Sequence, residues 1–117
     1  MKVKSYRQAE GREEVPGVTM RVVAGPEDGA PNFAMRLFEV GPGASTPYHS
    51  HPWEHEVFVI SGSGQVRGTA GTRQLGEGDA VFVAPGEEHC FASAGGGTMR
   101  MICVVPLVNG AMPRTSE

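Results

Sequence analysis

Residues 43–62 read Gly43-Ala-Ser-Thr-Pro-Tyr-His49-Ser-His51-Pro-Trp-Glu-His55-Glu-Val-Phe-Val-Ile-Ser-Gly62 and carry three of the chain's four histidines. On an extended chain, side chains alternate between faces, so residues separated by even numbers point the same way. His49, His51 and His55 therefore converge on one point if the segment is strand-like with a short loop at Pro52-Trp53-Glu54. Glu54 and Glu56 have the opposite parity and should point away. Convergent imidazoles form a partial coordination shell for a transition metal. The fourth histidine, His89, follows Pro85-Gly86-Glu87-Glu88 at the head of another apolar run, and a barrel would lay it beside the first three. A lone histidine is more often a packed or surface residue. Three with one parity and a fourth at a strand head are harder to assign to packing.

Outward from this stretch, β-branched and aromatic runs recur between Gly and Pro. Strands are expected at 18–24, 32–40 and 55–60, with a hairpin of 65–69 and 72–75 around Ala70-Gly71. Further strands are expected at 79–83, 89–94 and 99–105, with a possible edge strand at 2–6 and a loose tail from 109 to 117. No Gly- and Pro-free segment has helical periodicity over three turns. The pattern predicts an all-β sandwich or closed barrel.

Composition agrees with one folded domain spanning 1–117. Hydrophobic residues make up 39% and charged residues 20% of 117 positions. Gly (17) and Pro (9) exceed the usual ~12%, as many turns require. The net charge is −3 and no basic run exists, so nucleic acid is not an expected partner. The apolar run 101–105 is too short to span a membrane. No apolar stretch follows Lys2 and Lys4 as a secretory signal would require, so a cytoplasmic location is expected. Cys90 and Cys103 suit small buried thiols better than a disulfide framework.

Residues 43–62 resemble the first cupin motif, in which Gly, His-x-His, Glu and Gly stand at set intervals. Counting back from Gly62, His55 occupies the place of the Glu. The second cupin motif is matched by Gly78, Gly86 and His89, with Ala84 where Pro is usual and Ser93 where Asn is usual. Residues 30–38, 49–61 and 101–106 are similar to a subgroup of small cupins with four-histidine sites, typically manganese. The resemblance covers about 15–106 and implies a double-stranded β-helix, or jelly-roll barrel. It implies one divalent transition metal on His49, His51, His55 and His89, manganese foremost, with iron, zinc, nickel or copper as alternatives. It also implies a homodimer that pairs or exchanges N-terminal strands such as 2–6 and 18–24.

Neutral imidazoles would leave the ion's double charge uncompensated, which favours the divalent state. On a six-coordinate ion two positions would stay open; on tetrahedral zinc the shell would close. By parity, Val57, Phe91, Met101 and Cys103 should line the interior, with Tyr48 and Trp53 at a rim or in packing. Arg36 could meet a substrate carboxylate, but a solvated strand face is the expected place for it. The expected function is an oxygen-using metalloenzyme, dioxygenase- or oxidase-like, acting on a small organic substrate. A non-catalytic binding module and a metal-dependent isomerase or lyase are the alternatives.

Overall fold

The computed structural model describes residues 1–113. Its strands are β1 (Arg12–Val15), β2 (Val18–Ala24), β3 (Phe33–Val40), β4 (His55–Ser61), β5 (Gly64–Gly68), β6 (Gly71–Leu75), β7 (Ala80–Val83), β8 (His89–Ser93) and β9 (Met99–Pro106). They form a six-stranded antiparallel sheet, in the order β1-β2-β3-β9-β4-β7, and a three-stranded sheet, β6-β5-β8. This is the jelly-roll architecture that the motif resemblance implies.

Period-two alternation sets which residues fill the space between the sheets. In β4 the burial alternates strictly from His55 through Val57 to Val59, and in β9 from Met99 through Met101 and Cys103 to Val105. Register carries the same face across the sheet: Ala34 faces Val105, Arg36 faces Cys103, Phe38 faces Met101 and Val40 faces Met99. Val57 and Val59 meet Cys103 and Met101 from the other side. Each fully buried Val or Met of these rows contributes roughly 1.5–3 kcal/mol by leaving water, so a one-residue slip would be prohibitively costly.

The N-terminus differs from expectation. Residues 2–6 form no strand; Lys2 and Lys4 instead reach Asp28, and Ser5 caps a 3-10 turn at Tyr6–Gln8. The edge strand is β1, which the sequence hid because Arg12, Glu13 and Glu14 are all exposed and charged. Such a charged edge is a common defence against strand addition. β2 lies between β1 and β3, so it offers no edge to a second copy. The tail is also better held than expected. Val108 and Ala111 exchange backbone hydrogen bonds of 2.8 and 3.1 Å, and Met112 packs on the core. The expected tail beyond residue 113 lies outside the described residues.

The outer face of the large sheet is unusually apolar. Phe33, Met35, Phe58, Ile60 and Phe82 are all exposed there. By contrast, Gly62 stands where no side chain fits. Its φ is +79°, and a Cβ would run into the carbonyl oxygen of Thr98. Gly62→Ala should therefore lower unfolding stability by at least about 1–3 kcal/mol. Urea unfolding followed by circular dichroism checks this, and an unchanged midpoint would contradict it.

Candidate metal centre

The four histidines come from one strand of each sheet and from the irregular segment between β3 and β4. Residues 44–51 run irregularly beside β8, with bridges at Ser45–Ala92 and His49–His89. Between those bridges the 44–51 side holds one residue more than β8, which makes a bulge. Pro47 sits inside it and, lacking an N–H, could not have continued the ladder. His49 and His89 then exchange backbone hydrogen bonds of 3.1 and 2.9 Å. The His51 carbonyl accepts from the N–H of Gly86 at 2.8 Å, and Gly86 has φ +81°. His55 opens β4, in the other sheet. The convergence expected from a single strand is thus real, but its cause is different: residues 50–54 are a crossing loop, not a strand.

Ligand atoms of His49, His51 and His89 lie within 4.8 Å of one another, so these three could hold a metal ion. His55 stands against the same group. Its Nε2 is 3.0 Å from Nε2 of His89, and its ring centroid is 4.9 Å from that of His51. Two ligands about 2.1 Å from one ion, at right angles, have their donor atoms about 3.0 Å apart. The outer nitrogens are anchored too. His51 Nδ1 donates to the Trp53 carbonyl at 2.8 Å, and His89 Nδ1 donates to the Glu87 carbonyl at 2.7 Å. These bonds fix the tautomer and leave Nε2 of both rings with a lone pair turned towards the cluster. Among the described residues no carboxylate joins the group. Unprotonated nitrogens, fixed tautomers and a buried setting all fit a divalent transition ion.

Burial favours the uncharged form. The His55 pKa is pushed down to about 3, first by desolvation and then by the neighbouring His89, His51, Arg36 and His49 charges. His51 is lowered as well, again chiefly by desolvation. Trp53 stacks flat on His51, with centroids 4.3 Å apart and planes 5° from parallel, so it positions that ring. Tyr48 lies further out, under the guanidinium of Arg67 at 4.4 Å. Val57, Phe91, Met101 and Cys103 point inward as expected, and all are almost fully buried. Phe91 meets His55 and His89 edge-on. A cleft of about 290 Å³ between the β5–β6 turn and β7 reaches His89 from outside.

Arg36 departs most from what its sequence position suggests. It belongs to the inward row of β3, half-buried, with Nη2 donating to Cys103 Sγ at 3.1 Å. Its guanidinium also lies 5.0 Å over the Phe38 ring. The same sulfur is 2.8 Å from His55 Nδ1. Burial pushes the Cys103 thiol pKa up, against a smaller opposing pull from Arg36. The sequence did not reveal this because β3 is apolar on both faces, with Phe33, Met35 and Leu37 on one and Ala34, Phe38 and Val40 on the other. A parity count from Cys103 would have needed the register.

The depressed His55 pKa has a definite sign. The unfolded chain takes up this proton near pH 6.5, whereas the folded, metal-free chain resists it until about pH 3. The stability is thus complete above about pH 6.5 and drains away on acidification towards pH 3. Metal-free protein should melt several degrees lower at about pH 4.5 than at about pH 7.5. A melting temperature that holds level over that range would contradict the assignment.

The comparisons with known proteins follow the geometry. The family described as "Cupin domain" matches residues 36–105. The polyketide cyclase RemF from Streptomyces resistomycificus is 35% identical, with a TM-score of 0.81 over 91% of this chain and 79% of that one. A cupin 2 domain-containing protein from Halorhodospira halophila is 29% identical, with a TM-score of 0.76 over 92% of this chain and 76% of that one. An (R)-mandelonitrile lyase from Granulicella tundricola is 30% identical over 70 residues, which are 59% of this chain and 53% of the lyase. This chain therefore aligns with about half the length of that curated relative. With the fold, both motifs and a match over most of its length in agreement, the chain belongs to the cupin family.

Proposed function

We propose that this cupin is a metal-dependent enzyme acting on a small organic molecule, with His49, His51, His55 and His89 holding one divalent transition ion, manganese foremost. The observation that carries this reading is the cluster of inward-turned imidazoles, whose outer nitrogens at His51 and His89 are tied to backbone carbonyls. A divalent ion there supplies Lewis acidity to a substrate oxygen, undiminished by any anionic ligand. The chain's own residues supply the setting. Trp53 and Cys103 hold the rings of His51 and His55, while Phe91 and Met101 keep water from the floor beneath them. The names of two relatives, a lyase and a cyclase, favour bond-making or bond-breaking at an activated oxygen without net oxidation.

Oxygen-using catalysis, dioxygenase- or oxidase-like, is the second reading. It draws support from the same uncharged ligands, which favour the divalent ion, and from the apolar residues under the site. Two copies are expected to pair, and the exposed apolar row from Phe33 to Phe82 supports that expectation.

Metal analysis of untagged protein tests the site. Near one ion per chain is expected for the wild type, and at least about tenfold weaker retention for His55→Ala. Absence of metal even after reconstitution refutes the reading. Mandelonitrile cleavage and oxygen uptake, assayed on the same loaded sample, then separate the two chemistries. Light scattering should give about twice the chain mass of 12.4 kDa; a monomer mass refutes pairing.

A further inference from the structure

Arg36 places a fixed positive charge inside the barrel that nothing around it neutralises. Its backbone pairs with Cys103 on the inward face, and Nη2 reaches that sulfur at 3.1 Å. Its Nε is buried and has no acceptor. The ion pairs among the described residues belong to Lys4, Arg12, Arg21 and Arg100, so no carboxylate answers Arg36. Yet the thiol it touches contacts His55 directly. Arg36 is half-buried, and its buried Nε, a donor without an acceptor, is costly to maintain. The other three arginines on that sheet solve the problem ordinarily: Arg21 and Arg100 share Glu39, and Arg12 meets Glu14 in solvent.

We infer that Arg36 is the anchor for an anionic oxygen of the substrate, so that the molecule taken by this cupin is a small organic acid bearing a carboxylate. This inference rests on the metal-site reading and goes beyond it by naming the substrate class. A guanidinium presents adjacent N–H groups in a fork that matches two carboxylate oxygens. The unused Nε belongs to that fork. Arg36 and a divalent ion held by neutral histidines would together make the interior strongly positive within a chain of net charge −3. Such an interior draws in anions and disfavours neutral look-alikes of equal size. The Phe38 ring under the guanidinium, at 5.0 Å, and Val22, which pairs with Arg36 across β2, supply no anionic oxygen to it.

The test uses propionate and its neutral counterpart propionamide. Trp53, the chain's one tryptophan, lies flat on His51 and reports binding through its emission. Titrations are run on the wild type, Arg36→Gln and Arg36→Lys, each metal-loaded and metal-free, with metal content and melting temperature measured in parallel. The wild type should prefer propionate to propionamide by at least about tenfold. Arg36→Gln should lose that preference while keeping its metal, because removing a positive charge does not weaken cation binding. Arg36→Lys should recover part of it.

If Arg36→Gln keeps both its fold and the full preference, the anchor is refuted. It is equally refuted if the wild type shows no preference. If the wild type takes up no metal, the four-histidine reading fails by itself, and the metal-free titrations still decide the role of Arg36. Should Arg36→Gln not fold, Arg36→Lys decides: a charged but unforked side chain must weaken propionate binding without changing that of propionamide.

Discussion

The reciprocal backbone pair between His49 and His89 is the joint on which this molecule depends. It fastens the irregular segment after Gly43 to the head of β8 and so fixes the backbone positions from which two imidazoles project. The contact between Gly86 and the His51 carbonyl adds a third ring to the same frame. Only His55 comes from elsewhere, carried by β4 in the larger sheet. The site therefore sits where the two sheets are stitched together, and its geometry is as rigid as the stitching.

Much of this could be read from the residues. Strand positions for β2, β4 and β9 follow from β-branched runs closed by Gly or Pro, that of β8 from a short apolar run between Pro85-Gly86 and Gly95, and the inward faces of β4 and β9 follow from period two. The four histidines stood out because spacing and parity agreed with the motif resemblance. Other features left no local trace. β1 is charged throughout, since an exposed edge has no buried face to write into the sequence. Residues 50–54 form a loop, so the count from His49 to His55 brought the two rings together through a strand that is not there. The place of Arg36 depended on register, which is a property of pairs of strands. No single strand encodes it when both of its faces are apolar.

Charge is distributed with a consistent logic. The carboxylates near the histidines in sequence, Glu54, Glu56, Glu87 and Glu88, all face outward. The interior keeps neutral donors and one guanidinium, and Cys103 mediates between them. A barrel with an inward glutamate would offset the ion's charge internally. With an ion held by these histidines, the offset would be left to whatever enters. The same residues that weaken the resemblance to the commoner cupin motif, His55 above all, therefore define what distinguishes this interior.

The apolar outer face has a consequence for handling the protein that concerns neither metal nor substrate. With a sequence pI of about 5.8, the chain loses its net charge only modestly below neutrality. Colloidal repulsion between molecules vanishes there, while Phe33, Phe58 and Phe82 of any unpaired copy stay exposed. A solubility minimum should thus fall in mildly acidic solution, where sticking between exposed sheet faces is opposed least. Two acid sensitivities are therefore expected, one internal and one colloidal. Added salt, which screens the residual repulsion without touching the buried histidines, tells them apart.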